Sequence, residues 1–151
     1  MGKILEVIKL NNLIVKAELS NLESVNMFVE SKLEEHDCSP KIVLQIALVI
    51  EELFANVANY AYKDRADSEN NYVGIDVEFA ESESGAKSVK ITFTDEGVPY
   101  NPLLRPDPDI TLSAEERQIG GLGIFMVKKY VDDIYYEHSN GKNILTVVKN
   151  F

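Results

Sequence analysis

The sequence predicts a single α+β domain: a two-layer sandwich in which helices cover one face of a mixed, mostly antiparallel sheet. Three observations lead to this prediction. Several short stretches alternate apolar and polar residues, as half-buried strands do, while longer stretches repeat apolar residues at helical spacing. Short turns separate neighbouring strand candidates, which favours antiparallel hairpins. The 151 residues suffice for one hydrophobic core, and we find no repeat or linker that divides them.

The first part of the chain contains strand candidates and a helix. Residues 3–19 hold two runs rich in Ile, Val and Leu around Asn11-Asn12, which predict a pair of strands joined by a turn. Ser20 and Glu23 match a capping box, in which the two side chains bind backbone amides at the start of a helix. Apolar residues at helical spacing then predict a helix over residues 21–35.

A second, longer helix is predicted to follow. Ser39 is a favoured N-cap residue, and Pro40 is tolerated at the first helical position. The apolar stripe that starts at Ile42 predicts that the helix continues to about Tyr62. A polar loop begins at Lys63.

The rest of the chain is predicted to contain four strands and a short helix. Residues 72–79 and 89–93 alternate and should form a hairpin, with one face on the core and one in water. A long loop after Asp95 leads to a glycine cluster and a helix over residues 122–130. Two final strands, 134–137 and 144–148, should meet at a turn around Asn140.

The composition limits the classes of partner and compartment. The chain has 25 acidic and 15 basic residues and a formal net charge of -10, which argues against duplex nucleic acid or an anionic membrane as a partner. Cys38 is the only cysteine, so no intrachain disulfide can form. With no signal-peptide pattern at the N-terminus and no run of about 18 apolar residues, we expect a cytoplasmic protein.

The long helix carries polar residues that invite a functional interpretation. Glu52 and Asn56 are four residues apart, and Asn59 is three further on, so they should share one face. Asn is a poor helix former, and a solvated polar face is the simple explanation for it. The functional alternative is that the Asn56 amide oxygen binds Mg²⁺ and that Glu52 accepts a proton from an attacking hydroxyl.

Two glycine-containing segments add candidate ligand contacts. Asp95 ends a predicted strand, and its carboxylate could accept a hydrogen bond from an amino group such as that of adenine. Gly97 would let the backbone come close to a ring, although an ordinary turn needs the same residues. Gly121, Leu122 and Gly123 open a predicted helix, where backbone amides can converge on phosphate oxygens. No Gly-Lys-Ser/Thr follows, so the segment is not a P-loop.

Together, the three segments resemble the ATP-binding superfamily of gyrase-type ATPases and histidine kinases, and within it most closely the anti-sigma-factor serine/threonine kinases. The resemblance covers residues 19–148 and implies the histidine-kinase-like, Bergerat-type fold. It depends on the order and spacing of six residues: Glu52, Asn56, Asp95, Gly97, Gly121 and Gly123. Three positions depart from the family pattern, namely Tyr60, Ala61 and Pro99.

The resemblance implies Mg-ATP as the ligand, with adenine against Asp95 and the triphosphate directed toward residues 121–123. It implies Glu52 as the catalytic base and Asn56 as the metal ligand. Arg117 in a lid, with Arg105 as a competitor for the same role, and Thr146 in a late strand are further implied contacts. The implied nucleotide-binding set is Asn56, Asn59, Asp95, Gly97, Arg117, Gly121, Leu122, Gly123 and Thr146.

The resemblance also implies partners. In this family the phosphoacceptor is a small anti-anti-sigma protein, and the dimeric kinase binds a sigma factor, so we expect a homodimer with these partners. The residues before the Glu52 helix are too few for a histidine-containing dimerisation helix, so histidine autophosphorylation is not expected. One alternative is a nucleotide-gated protein-binding module with little turnover. Another is an ATPase that activates water, which would lack the domains that couple hydrolysis to motion.

Overall fold

The computed structural model describes residues 11–63, 70–104 and 121–151. Within these ranges the elements are, in chain order, β1 (Asn12–Lys16), α1 (Leu22–Glu35), α2 (Pro40–Asn56), β2 (Tyr72–Glu81), β3 (Lys87–Asp95), α3 (Gly121–Tyr130), β4 (Asp133–Ser139) and β5 (Lys142–Asn150). A π-helical turn, Val57–Ala61, continues α2, and 3₁₀ turns occupy Leu19–Asn21 and Pro102–Leu104. The predicted α+β class is confirmed.

The five strands form one sheet in the order β1-β2-β3-β5-β4. Every neighbouring pair of the described strands is antiparallel, whereas the sequence analysis allowed for a mixed sheet. Short hairpin connections explain two of these pairings, β2 with β3 and β4 with β5. In the β4–β5 turn, Asn140 and Gly141 have φ values of 53° and 76°, which is the left-handed pair that a type I′ hairpin turn requires.

The core lies between the helices and one face of the sheet. Alternate residues of the three central strands are buried there: Val73, Ile75, Val77, Val89, Ile91, Phe93, Leu145 and Val147. The helices contribute the opposite side of the same cluster, including Val25, Val29, Leu33, Ile46, Val49, Ile50, Leu53, Phe54, Ile124 and Val127. This arrangement is the predicted sandwich, in which helices cover one sheet face and the other face is mostly half-buried or exposed.

Two local predictions near the N-terminus are wrong. Ser20 lies inside the 3₁₀ turn, and the N-cap of α1 is Asn21, whose side chain makes no cap bond but donates to Lys16 O at 2.9 Å. The capping box therefore does not form. Asn12, predicted to lie in a turn, is the first residue of β1, where its Nδ2 donates to Asp76 Oδ1 at 2.9 Å. The earlier run of this predicted strand pair lies outside the described residues.

Helix α2 begins as predicted. Ser39 Oγ accepts a hydrogen bond from Ile42 N at 3.4 Å, and Pro40 occupies the first turn. In the described part of the chain, Pro40–Ala61 is the one helix that is long and apolar enough to span a membrane. A central core helix meets the same criterion, and α2 buries Ile50, Leu53 and Phe54 against the sheet.

Candidate functional site

A pocket opens where the end of α2 meets the sheet. It encloses about 410 Å³ of atom-free space, part of it open to solvent. Asn56 from α2 and Asp95 from the end of β3 both line it, so the structure brings two of the predicted site residues together. Its other walls are largely apolar or aromatic: Leu53, Val57, Ala61, Phe93, Tyr100, Pro102, Tyr136 and Leu145, with Asn143 beside Asp95.

The carboxylate of Asp95 is held by hydrogen bonds to one of its two oxygens. Oδ1 accepts from Gly97 N and from Asn143 Nδ2, each at 2.9 Å, while Oδ2 takes part in neither bond. Burial raises the pKa of Asp95, because water no longer solvates the charged form, and these two bonds and His138 oppose the rise. The carboxyl is thus an enclosed acceptor with one oxygen left for a ligand.

Asn143 organises the segment that follows Asp95. The two residues are cross-strand partners in the β3–β5 pair. Besides Asp95, Asn143 Nδ2 donates to Val98 O at 2.8 Å, and its Oδ1 accepts from Tyr100 N at 3.2 Å and from the Tyr136 hydroxyl. One buried amide therefore ties the end of β3, the segment after it, β4 and β5 together.

The end of α2 holds the same segment from the other side. Val98 N donates to Ala61 O at 2.9 Å. A Cβ atom at position 97 would lie 2.2 Å from Ala61 O, so Gly97 is required by its contact with the π-helical turn. Tyr62 adds a bridge, because its hydroxyl donates to Tyr72 O at 2.6 Å and accepts from Glu96 N at 2.8 Å.

Glu52 lies one helical turn before Asn56, against the start of α3. A Cβ atom at position 123 would lie 2.0 Å from Glu52 Oε2, so the carboxylate rests directly on the Gly123 backbone. Here α2 and α3 border an open groove of about 480 Å³ of atom-free space, part of it solvent, lined by Leu48, Met126 and Tyr130 among others. The structure therefore pairs Glu52 with the glycine segment, and Asn56 with Asp95, in two neighbouring depressions.

The other predicted site residues do not line the pocket that contains Asn56 and Asp95, or they lie outside the described residues. Asn59 is exposed in the π-helical turn and does not line the pocket that contains Asn56. Arg117 and its competitor Arg105 lie outside the described residues. Gly121 and Leu122 begin α3, next to Gly123.

Thr146 is buried on the other side of the sheet from the Asp95 pocket. Along β5, Asn143 and Leu145 line the pocket, and the alternation of a strand turns Thr146 away from it. Its Oγ1 lies 3.4 Å from Thr92 Oγ1 on β3. The structure thus does not place Thr146 beside a ligand in this pocket, and Asn143 occupies the position next to Asp95.

Asn143, Tyr136 and Tyr62 were not among the residues predicted from the sequence. A signal for Asn143 was present, because Asn143, Leu145 and Val147 alternate toward the core. The predicted strand began one residue too late to include it. Tyr62 and Tyr136 had no signal, since a hydroxyl that bridges two backbone segments depends on the tertiary structure.

The family follows from a comparison over most of the chain. A family model described as "Histidine kinase-like ATPase domain" matches residues 15–149. The chain belongs to this family. The resemblance drawn from the spacing of Glu52, Asn56, Asp95 and the glycines is thereby confirmed at the level of the superfamily.

Solved structures support the same fold for this histidine kinase-like ATPase domain. A chain of the SiaB–SiaC complex from Pseudomonas aeruginosa superposes with a TM-score of 0.56 at 12% sequence identity, covering 99% of this chain and 95% of that chain. At that identity the likeness concerns the fold alone. No curated protein sequence matches the chain significantly.

The described residues of this ATPase-family domain offer few groups that could hold a metal ion by themselves. Within residues 11–63, 70–104 and 121–151, no cluster of three His, Cys, Asp or Glu side chains could hold an ion. Asn56 offers one amide oxygen at the pocket wall. A single oxygen ligand fits Mg²⁺, which is commonly bound by one or two protein groups together with substrate phosphates.

Proposed function

We propose that this histidine kinase-like ATPase domain binds Mg-ATP and phosphorylates a serine or threonine of a partner protein, as the anti-sigma-factor kinases that it resembles do. One observation carries the proposal. Asn56 and Asp95 line a common pocket, while Glu52, one turn earlier on the same helix, lies against the glycines that open α3. The residues that we propose as base, metal ligand and phosphate contact therefore lie near one another, on α2 and at the start of α3.

The pocket offers the chemistry that an adenine ring requires. Asp95 Oδ2 can accept a hydrogen bond from the amino group of the purine. Phe93, Pro102 and Leu145 contribute apolar surface for the ring. Such a combination of apolar walls and a few placed polar groups is typical of small-molecule sites.

At the other end, Asn56 would hold Mg²⁺ through its amide oxygen. When bound, the ion supplies neutralisation of phosphate charge. The backbone amides that begin α3 would contact phosphate oxygens, assisted by the helix dipole. The role of Glu52 is to orient the partner's hydroxyl and to accept its proton, a contribution of about 10²–10⁴-fold for a general base.

The partners that we propose are an anti-anti-sigma protein as phosphoacceptor and a sigma factor that the dimeric kinase binds in the cytoplasm. The SiaB–SiaC complex is consistent with a chain of this fold that assembles with another protein. A nucleotide-gated binding module without turnover is the alternative, and the position of Glu52 favours the kinase because a pure binder needs no base there.

Thermal unfolding with and without Mg-ATP tests nucleotide binding. At about 100 times the dissociation constant a ligand adds ~2.7 kcal/mol of stability. For a domain of this size the midpoint should then rise by roughly 5–10 °C. The Asn56→Ala variant should lose most of the Mg²⁺ dependence of this rise. A wild-type midpoint that does not move at millimolar Mg-ATP would refute every version of the proposal.

Transfer of ³²P from γ-labelled ATP to proteins of the native lysate tests the kinase step. Glu52→Gln should bind Mg-ATP normally and lose transfer by at least ~10²-fold. The matched control is Glu51→Gln, which removes the same charge from the neighbouring, exposed position and should transfer normally. Full transfer by Glu52→Gln would place the base elsewhere, and wild-type binding without any transfer would favour the nucleotide-gated module.

A further inference from the structure

We propose that Asn143 is a positioning residue for purine selection: it fixes one oxygen of the Asp95 carboxylate so that the other is presented to a 6-amino purine. The inference rests on the proposed nucleotide function and deepens it. Asn143 lies outside the three segments that carry the family resemblance. It is 5% exposed, and its amide contacts Asp95 directly.

The partners of Asn143 fix which way its amide points. Tyr100 N can only donate, so the atom that faces it must be the amide oxygen. Val98 O can only accept, so the atom 2.8 Å from it must be the amide nitrogen. The Tyr136 hydroxyl donates to the oxygen and supports the same orientation. Asn143 therefore presents a donor to Asp95.

This donor determines which hydrogen bonds the Asp95 carboxylate can still make. With Asn143 and Gly97 N both on Oδ1, the carboxylate is held by two bonds, and Oδ2 stays available as an acceptor. Adenine presents an amino donor at its 6-position, whereas guanine presents a carbonyl acceptor there. A fixed carboxylate oxygen therefore attracts the first and repels the second.

Without Asn143, the Gly97 amide alone would hold the carboxylate, which could then rotate. Its ionisation would change as well, because the bond from Asn143 is the largest influence that lowers the pKa of Asp95 against the effect of burial. Other titratable side chains near Asp95 include His138, which favours the charged form, Glu96, which follows in the chain, and the Tyr136 hydroxyl. Lys142 lines a second depression together with Asp95. Loss of Asn143 should thus raise the pKa of Asp95 further.

The test compares the wild type with Asn143→Leu, which has similar volume and no hydrogen-bonding group. Titration of the Asp95 carboxyl by ¹³C NMR without nucleotide should show a higher pKa in the variant. The dissociation constant for Mg-ATP should rise about 10- to 100-fold, as for loss of a bond to a charged group, while that for Mg-GTP should change little. The control, Thr92→Val on the other face of the sheet, should match the wild type in both measurements.

Asn143→Thr provides a second variant in case the leucine variant fails to fold. Its hydroxyl can donate to Asp95, so it should recover most of the preference for ATP and most of the wild-type pKa. An unchanged pKa of Asp95 in Asn143→Leu, or equal losses for ATP and GTP, would overturn the proposal. Binding of neither nucleotide by the wild type would instead refute the proposed function, and the titration alone would then decide whether Asn143 controls Asp95.

Discussion

Three glycine-to-alanine variants should separate glycines that the packing requires from those that it does not. A Cβ atom at position 97 would meet the Ala61 backbone, with 2.2 Å to the oxygen and 2.6 Å to the carbonyl carbon. Backbone atoms cannot move aside cheaply, and overpacking of this kind costs about 1–3 kcal/mol. Disruption of the Val98–Ala61 hydrogen bond adds roughly 0.5–1.5 kcal/mol. We therefore expect Gly97→Ala to lower the free energy of unfolding by about 2–4 kcal/mol.

Gly123→Ala introduces an equally short contact with a different consequence. The Cβ atom would lie 2.0 Å from Glu52 Oε2, at the end of a flexible side chain that can rotate away. Because alanine also favours the helix by up to about 0.5–1 kcal/mol, the stability should be preserved or slightly raised. The displaced Glu52 carboxylate should instead reduce phosphotransfer.

The assay is thermal and urea unfolding of both variants beside Gly74→Ala. Position 74 is the control, because its added Cβ would meet its nearest atom at an ordinary 3.9 Å. At about 2–4 °C per kcal/mol, Gly97→Ala should melt roughly 5–15 °C below the wild type, and the other two variants within a few degrees of it. Equal midpoints for Gly97→Ala and Gly123→Ala would refute this account of the two contacts.

Three further predictions concern stability. Tyr62→Phe removes the hydroxyl that bridges Tyr72 O and Glu96 N, and it should lower the free energy of urea unfolding by about 1–3 kcal/mol; an unchanged urea midpoint would contradict the bridge. Ser39→Ala should cost about 0.5–2 kcal/mol in the same assay through loss of the N-cap of α2. Burial raises the pKa of Asp95 above its unfolded value of about 3.9. The free energy of unfolding that Asp95 contributes therefore falls as the pH rises from the unfolded pKa through the higher folded pKa. Asp95→Asn should therefore raise the melting temperature at pH 7, and this gain should disappear below about pH 3.5; a lower midpoint at pH 7 would contradict the sign.

Much of the fold could be predicted because its elements have strong local signals. The alternation in β2 and β3, the Ser39-Pro40 start of α2 and the Asn140-Gly141 turn each specify local geometry. The Ser20 capping box failed for a physical reason. The chain continues from β1 through a 3₁₀ turn that includes Ser20, and the helix begins only after it. A sequence pattern indicates which residues can cap a helix. It does not indicate the backbone conformation of the residues that precede the helix.

In the candidate site, too, the residues with local sequence signals could be predicted and those placed by strand register could not. Glu52, Asn56 and Asp95 could be proposed as site residues because their spacing within helix and strand is local. Asn143 lies 48 residues after Asp95, and only the antiparallel β3–β5 register makes them partners. The same register, with its strict alternation, turns Thr146 to the opposite face. Positions on β5 could therefore be assigned to the site only once that register was known.

The π-helical turn explains why Asn59 does not follow Asn56 into the pocket. In an α-helix, residues three apart lie close to one face, but a π-helical turn has more residues per turn, so each residue rotates less about the axis. Over Val57–Ala61 this difference carries Asn59 out to solvent. In the same turn, Ala61 O accepts a hydrogen bond from Val98 N. The same irregular turn thus keeps Asn59 off the wall of this pocket and helps to anchor the segment after Asp95. A prediction based on α-helical spacing alone does not include such a turn.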